Sequence, residues 1–163
     1  MASSVRVEPE HPAELATVDV AETIRELLQH VEPMLHRHPL EFASTIRLHA
    51  LADPGRLRRI LEHLVENAVK YAPPGTGIVI DWALVEGVVR IGVTDAGPGI
   101  PEEWRERIFE PYARRDTLTA RGSGIGLYAA KRLAQSMGAR LWCEPGATGG
   151  ARFVVALPAV VAV

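Results

Sequence analysis

The stretch DPGRLRRILEHLVENAVKYAPPG, residues 53–75, predicts a helix with clearly marked ends. Asp53 is a residue type that caps free helical amides, and Pro54 loses no hydrogen bond at the first helical position. The run Pro73-Pro74-Gly75 cannot continue the helix. Between these limits, apolar residues recur at helical spacing: Leu57, Ile60, Leu61, Leu64 and Ala68. We therefore expect an amphipathic helix over 54–72 with one face packed on a core.

The segments on either side of this helix predict further helices and hairpins. Helical spacing begins at Val20 and stops near Pro39, and residues 40–51 are typical of one or two strands. Residues 1–17 are polar and aperiodic, so we expect a tail or linker remnant followed by one domain over 18–163. Downstream we expect strands at 78–84 and 88–94, a short helix around 102–109, a helix over 125–137, and strands at 139–144 and 151–157. This order predicts a two-layer α/β sandwich with a mixed sheet.

The composition excludes several classes of protein. A chain of 163 residues, 47% of them hydrophobic, fits one domain with a real core. A net charge of −2 argues against a nucleic-acid partner and against a polybasic membrane surface. The single cysteine, Cys143, excludes an internal disulfide framework and a multi-thiolate metal site. With no apolar run of membrane-spanning length, these features predict a cytoplasmic domain, and they leave open whether the parent protein is membrane-anchored.

One edge of the 54–72 helix carries polar residues. At roughly 100° per residue, His63, Asn67 and Lys70 fall together beside the apolar stripe, and Glu66 flanks them. An amide oxygen is a hard ligand for Mg²⁺, and a lysine is a point charge that suits phosphates. This edge predicts either a contact with a metal and phosphates or an ordinary solvated face.

Two glycine-rich loops carry the other candidate site residues. The run Asp95-Ala-Gly97-Pro-Gly99-Ile-Pro101 follows a predicted strand, and its glycines let a ligand approach the main chain. Asp95 could accept a hydrogen bond from the N6 amine of adenine. Guanine has a carbonyl at that position, so two acceptors would face each other. The run Gly122-Ser-Gly124-Ile-Gly126-Leu127 precedes a helix, whose free amides and dipole favour phosphates. It has neither the strand context of a dinucleotide fingerprint nor the Gly-Lys-Ser/Thr of a Walker A loop. Taken alone, neither loop establishes a nucleotide site.

Taken together and in order, these motifs resemble those of a known family. The likeness is to the GHKL ATPase superfamily, and in particular to the catalytic, ATP-binding (HATPase_c) domain of bacterial sensor histidine kinases. It covers roughly Val20 to Pro158 and implies the Bergerat fold, a mixed sheet covered on one face by three helices, with an ATP lid loop. The runs similar to the N, G1, F and G2 boxes are Glu66-Asn67-Ala-Val-Lys70-Tyr71, Asp95-x-Gly97-x-Gly99-Ile-Pro, Ile108-Phe109-Glu-Pro-Tyr112 and Gly122-Ser-Gly124-Ile-Gly126-Leu.

The resemblance implies a role for each residue of the N box. Asn67 would coordinate a Mg²⁺ ion that bridges the phosphates of ATP. Lys70 would contact the phosphates, and Tyr71 would pack near the adenine. Glu66 occupies the acidic position seen in kinases, where it would contact Mg²⁺ through water or the acceptor histidine. Glu66, Asn67 and Lys70 are therefore the expected catalytic residues.

The other boxes would complete the nucleotide pocket and its lid. Asp95 would accept from adenine N6, and residues 110–122 would form the lid. One of the lid arginines, Arg114, Arg115 or Arg121, would stabilise the γ-phosphate, although solvated loop arginines are equally common. The residues that would shape the pocket or hold phosphates are Gly97, Gly99, Ile100, Phe109, Gly122, Ser123, Gly124, Ile125, Gly126 and Leu127.

His63 separates the branches of the family. Hydrolysing members and anti-sigma-factor serine kinases carry a glutamate four residues before the asparagine, whereas histidine kinases typically have Asn or His there. A neutral imidazole is a poor replacement for a carboxylate base. We therefore expect a histidine kinase, with a serine kinase acting on an anti-anti-sigma partner or a GHKL-type hydrolase as the alternatives.

The phosphoaccepting histidine is not among the six histidines of this chain, because none lies in a His-Glu/Asp motif followed by a hinge such as Thr-Pro. The expected partners are therefore a separate histidine-bearing dimerisation domain of the same kinase and a downstream response regulator. We expect the isolated domain to be a monomer.

Overall fold

The computed structural model describes residues 11–112 and 125–161. The helices are α1 (Val20–Val31), α2 (Pro54–Tyr71) and α3 (Gly126–Ser136). Short 3₁₀ turns lie at Glu32–Met34, Glu102–Trp104 and Arg107–Phe109. The strands are β1 (Ala16–Asp19), β2 (Leu40–Phe42), β3 (His49–Ala52), β4 (Ile78–Val85), β5 (Val88–Thr94), β6 (Arg140–Pro145) and β7 (Ala151–Val160).

The described strands form one mixed sheet in the order β1-β3-β7-β5-β4-β2, with β6 also paired to β7. Strand β7 is central, because residues 152–158 pair with β5 on one side while 151–156 pair with β6 on the other. The pair β2–β4 is parallel, and all the other pairs are antiparallel. The predicted mixed sheet is therefore confirmed.

The three helices pack side by side on one face of this sheet, with α2 in contact with both α1 and α3. All five residues of the stripe predicted for α2 are buried, and Val65 joins them. Asp53 caps the helix as expected, since its Oδ1 accepts from the amide of Arg56 at 3.1 Å. The predicted two-layer sandwich is confirmed, and α2 is its central helix.

The opposite face of the sheet carries a network of charged side chains. Arg152 forms a bidentate ion pair with Asp81 and lies 3.9 Å from Glu144. It crosses the sheet above Gly92, where any side chain would collide with the guanidinium group. The hydrogen bonding of the Arg152 guanidinium, which donates to Asp81, is the main reason that the pKa of Arg152 is raised above its usual value. This face therefore needs no second helical layer.

Three element boundaries differ from those expected from the sequence. Strand β1 is not indicated by the sequence pattern, because only Val18 of its four residues is buried and pairing with β3 defines it. Helix α1 ends at Val31 rather than near Pro39, because Pro33 lacks the amide that an α-helix needs. The short helix expected around 102–109 consists of two separate 3₁₀ turns.

Among the described residues, no helix is both long enough and apolar enough to cross a bilayer.

A pair of leucines tests how strongly α2 holds the layers together. Leu61 is fully buried and Leu84 is 52% exposed. We expect Leu61→Ala to lower the free energy of unfolding by about 2–5 kcal/mol, because the truncation leaves a cavity between α2 and the sheet. The matched Leu84→Ala should lower it by about 1 kcal/mol or less. Urea unfolding followed by circular dichroism measures both, and equal losses would contradict this assignment of the core.

Candidate functional site

Helix α2 holds the predicted polar residues along one edge. His63, Glu66, Asn67 and Lys70 are related by three- and four-residue steps, so their side chains are neighbours on the helix surface. Glu66 and Lys70 are exposed, whereas His63 and Asn67 are half-buried. Lys70 Nζ lies 5.5 Å from the centre of the Tyr71 ring. The helix therefore presents an acid, an amide, an imidazole and an ammonium group together.

Two of these side chains have buried polar atoms without a protein partner. Among the described residues, His63 Nδ1 and Asn67 Nδ2 are buried and make no hydrogen bond. A buried unsatisfied group costs about 1–3 kcal/mol, so such groups often mark the place of a water, an ion or a ligand. A Cβ at Gly126 would lie 3.6 Å from His63 Nδ1, so His63 rests against the start of α3. The unsatisfied atoms thus lie beside the junction of α2 and α3.

The imidazole of His63 is held in its neutral form. Burial lowers the pKa of His63 below its ordinary value of 6.5, and the nearby charge of Arg59 lowers it further. The carboxylates of Glu66 and Glu62 act in the opposite direction without overcoming burial. Glu66 Oε2 is 3.9 Å from His63 Nδ1, which is too far for a hydrogen bond.

Asp95 is the buried carboxylate of the site. Its side chain follows β5 and is 2% exposed. Its Oδ1 accepts from the amides of Gly97 at 2.8 Å and Ala151 at 3.4 Å. The Asp95 amide in turn donates to the Ala151 carbonyl at 3.0 Å. These contacts hold the carboxylate at the end of the sheet.

Close backbone packing sets the position of the loop that follows Asp95. A Cβ at Gly97 would lie 2.8 Å from both Asp95 Oδ1 and the carbonyl oxygen of Tyr71. A side chain at Gly150 would overlap the carbonyl of Asp95. The loop is therefore packed between the end of α2 and the turn before β7, which brings Asp95 close to Tyr71. We did not predict from the sequence that the Ala151 amide and the close approach of Gly150 hold Asp95. The glycine-rich run at residues 146–150, before the last strand, is the signal that could have indicated it.

The remaining predicted residues fall into three groups. Ile100 and Phe109 are buried in the core, where the Phe109 ring packs edge-to-face on Phe153 with centroids 6.0 Å apart. Ile125, Gly126 and Leu127 are half-buried at the start of α3, and Gly99 lies in the Asp95 loop with a φ of +77°. The predicted residues Arg114, Arg115, Arg121, Gly122, Ser123 and Gly124 lie outside the described residues.

A second concave surface lies away from this site. It is a groove of about 1060 Å³ between the 102–109 segment and β6. Its lining includes Glu106, Phe109 and Lys131 but none of the polar residues of α2. Lys131 Nζ donates to the Leu141 carbonyl at 2.6 Å, so its ammonium group already has a hydrogen-bond acceptor within the protein. None of the unsatisfied polar atoms of α2 and no atom of Asp95 lines this groove, and these groups favour the α2 edge and the Asp95 loop as the candidate site.

The neutral state of His63 predicts a pH dependence of stability. Because the folded state keeps the imidazole neutral below 6.5 while the unfolded chain binds a proton, the free energy of unfolding should fall as pH decreases below 6.5. The free energy of unfolding should stop decreasing once the pH is below the pKa of His63 in the folded state. His63→Gln should reduce this slope, and His36→Gln, at an exposed histidine, should leave it unchanged. Urea unfolding across this pH range measures the slopes, and a slope unaltered by His63→Gln would contradict burial of a neutral ring.

Comparison with known proteins agrees with this geometry. Residues 52–161 match the family described as histidine kinase-, DNA gyrase B-, and HSP90-like ATPase. The sensor protein KdpD of Rathayibacter rathayi is 41% identical over 109 residues, which cover 66% of this chain and 13% of that relative. The chain thus spans only a small part of the curated relatives that it matches.

Solved structures extend the likeness to nearly the whole chain. The mycobacterial sensor histidine kinase MprB superposes with a TM-score of 0.78 at 26% identity, covering 90% of this chain and 98% of that one. Full-length ShkA in complex with AMPPNP superposes with a TM-score of 0.77 at 31% identity, covering 95% of this chain and 33% of that one. The resemblance inferred from the four boxes is therefore confirmed: the chain belongs to the histidine kinase-, DNA gyrase B- and HSP90-like ATPase family, as an ATP-binding catalytic domain of the sensor histidine kinase type.

Proposed function

We propose that this chain binds ATP with Mg²⁺ and transfers the γ-phosphoryl group to a histidine on a separate dimerisation domain. The observation that carries the proposal is the buried carboxylate of Asp95, held by backbone amides beside the polar edge of α2. The similarity to ShkA, whose structure contains AMPPNP, supports a nucleotide in this place.

Asp95 would select adenine. A carboxylate accepts hydrogen bonds and therefore matches the exocyclic amine of adenine, whereas the carbonyl of guanine would meet it acceptor to acceptor. Gly97 and Gly99 have no side chains to obstruct the base, and Tyr71 would pack near its ring. The two amide hydrogen bonds to Oδ1 orient the carboxylate before the nucleotide arrives.

Asn67, Glu66 and Lys70 would hold the phosphate end. The described residues contain no cluster of three His, Cys, Asp or Glu side chains that could bind a metal ion. A Mg²⁺ ion here would thus rely on phosphate oxygens and water in addition to Asn67, which is its usual manner of binding beside nucleotides. The Asn67 Oδ1 would be the metal ligand, while the buried Nδ2, which has no partner among the described residues, could donate to a phosphate oxygen. When bound, Mg²⁺ would offset the negative charge of the phosphates.

The start of α3 and the lid would complete the enclosure. Gly126 begins α3, where free amides favour an anion. Gly122, Ser123 and Gly124 would wrap the phosphates with Ile125 and Leu127 behind them, and one of Arg114, Arg115 and Arg121 would contact the γ-phosphate. Phe109 would act from beneath, by supporting α3, because its ring packs in the core.

His63 favours phosphoryl transfer over hydrolysis. A hydrolase needs a base that takes a proton from the attacking water, and a buried imidazole with a lowered pKa is weakly basic. The imidazole of a partner histidine is itself a nucleophile. Its nitrogen would form the new bond to the γ-phosphorus as the bond to the β,γ-bridging oxygen breaks and ADP leaves. The residues of this chain would act by positioning and charge neutralisation.

The proposed reaction consumes ATP and therefore supports a cytoplasmic location, where the single cysteine, Cys143, would stay reduced. The phosphohistidine would then supply a response regulator. The similarity to sensor kinases supports both assignments.

Substitutions in the pocket test nucleotide recognition. Asp95→Asn should weaken ATP binding roughly tenfold to a hundredfold, because the side chain amide would face the adenine amine donor to donor. Asn67→Ala should remove the dependence of ATP affinity on Mg²⁺. Asp81→Asn is the matched control, since Asp81 lies on the opposite face of the sheet in its ion pair with Arg152. Calorimetric titration with ATP and GTP, with and without Mg²⁺, measures each effect, and unchanged affinities for the first two variants would misplace the site.

Incubation with γ-labelled ATP tests the transfer itself. The chain is mixed with a dimerisation domain that carries the acceptor histidine, and we expect acid-labile label on that histidine. Acid-stable label would indicate a serine kinase instead. Rapid phosphate release by the chain alone, lost in His63→Ala, would indicate a hydrolase, and either outcome would overturn the proposal.

A further inference from the structure

Residues 11–14, which we call the incoming chain, pass across the first turn of α2. The amide of Glu14 donates to Asp53 Oδ2 at 2.9 Å. Arg56 donates through Nη2 to the carbonyl of His11 and through Nη1 to Ser136 Oγ at 3.1 Å. We call Asp53, Arg56 and Ser136, with the backbone of residues 11–14, the N-terminal clamp. One arginine thus joins the incoming chain, α2 and the last residue of α3.

The two charged side chains of the clamp are largely shielded from solvent and are paired with each other. The side chains of Arg56 and Asp53 are only 13% and 16% exposed, and Arg56 Nε lies 3.7 Å from Asp53 Oδ2. Burial acts to raise the pKa of Asp53, but hydrogen bonds from Glu14 and Arg56 and the charge of Arg56 outweigh it and lower the pKa. Both side chains are therefore ionised near neutral pH, and charge-assisted hydrogen bonds are stronger than neutral ones. The branched, planar guanidinium can reach His11 and Ser136 at once, which a lysine cannot.

The clamp lies at the opposite end of the helix pair from the candidate site. Arg56 meets Ser136 at one end, whereas His63 meets Gly126 at the other, so α2 and α3 run antiparallel. None of the clamp residues belongs to the site assembled from α2, the Asp95 loop and the start of α3. The proposed nucleotide site therefore makes no direct use of these contacts.

We propose that Asp53 and Arg56 fix the incoming chain to the α2–α3 pair and so orient this domain relative to a histidine-bearing domain joined ahead of residue 1. This inference rests on the proposed phosphoryl transfer. Transfer needs the histidine nitrogen within about 3–3.5 Å of the γ-phosphorus in the correct direction. A freely rotating connection between the two domains only keeps the histidine near the γ-phosphorus, whereas a clamped connection also sets the direction from which the histidine approaches. Arg56 is thus a positioning residue for transfer within one polypeptide.

Comparison of fused and separate acceptors tests this role. A histidine-bearing helical hairpin is fused ahead of residue 1 of the full chain, or added as a separate polypeptide at saturating concentration. Arg56→Leu should slow labelling of the fused hairpin roughly tenfold, because orientation is lost. Labelling of the separate hairpin and the affinity for ATP should change less than about twofold, since a free acceptor docks without the clamp. Arg56→Lys should show an intermediate loss.

Arg58→Leu is the matched control, because Arg58 lies on the same helix and pairs with Glu62 rather than with the incoming chain. It should leave the ratio of fused to separate labelling unchanged. An equal slowing of both reactions by Arg56→Leu, or no change in either, would overturn the proposal. If the unsubstituted chain labels neither hairpin, the proposed function fails instead.

Amide hydrogen exchange of the unfused chain gives a second measurement that needs no acceptor. The amide of Glu14 should be protected, and Arg56→Lys should speed its exchange at least about fivefold while the amides in the middle of α2 stay protected. Fast exchange of Glu14 in the unsubstituted chain would show that the clamp is open in solution and would overturn the proposal.

Discussion

Packing of α2 against the sheet is the constraint on which the other features depend. Its apolar face is fully buried and it contacts both neighbouring helices, so it can neither rotate nor slide without exposing leucine and isoleucine side chains. The polar edge of the same helix is consequently held at a fixed angle to the Asp95 loop. A site made of side chains from one helix and one loop needs this rigidity, because it has few other means of keeping its parts aligned.

Burial of the Asp95 carboxylate is tolerated because the backbone supplies its partners. The amide of Gly97 comes from its own loop, and that of Ala151 comes from the start of β7. Each needs the main chain to approach closely, and side chains at Gly97 or Gly150 would prevent this. The glycines on both sides of the carboxylate therefore have a shared physical purpose. They keep the Asp95 carboxylate, which we propose as the acceptor for adenine, buried at the end of the sheet.

The two halves of α2 differ in their electrostatic character. The N-terminal half carries an ionised pair, Asp53 and Arg56, that ties the incoming chain to the helices. The second half carries a neutral imidazole and an unsatisfied amide beside the start of α3. The charged side chains of that second half, Glu66 and Lys70, would lie beside the phosphates in the proposed complex, whereas the clamp lies at the other end of the helix. In the proposed function, one helix therefore serves anchoring at one end and nucleotide binding at the other.

Local patterns in the amino-acid sequence were sufficient for α2 with its N-cap and for the β4–β5 hairpin, because these depend on neighbours within a few positions, and the order of the elements was sufficient for the sandwich. Contacts between distant residues were not predictable in this way. Strand β1 exists through its pairing with β3, the Ala151 amide reaches Asp95 across 56 residues, and Arg56 reaches the His11 carbonyl across 45. The edge-to-face contact of Phe109 with Phe153, 44 residues along the chain, was likewise not indicated by the sequence. Sheet register and helix packing bring such groups together, and these follow from burial of the whole core rather than from the periodicity of any one segment.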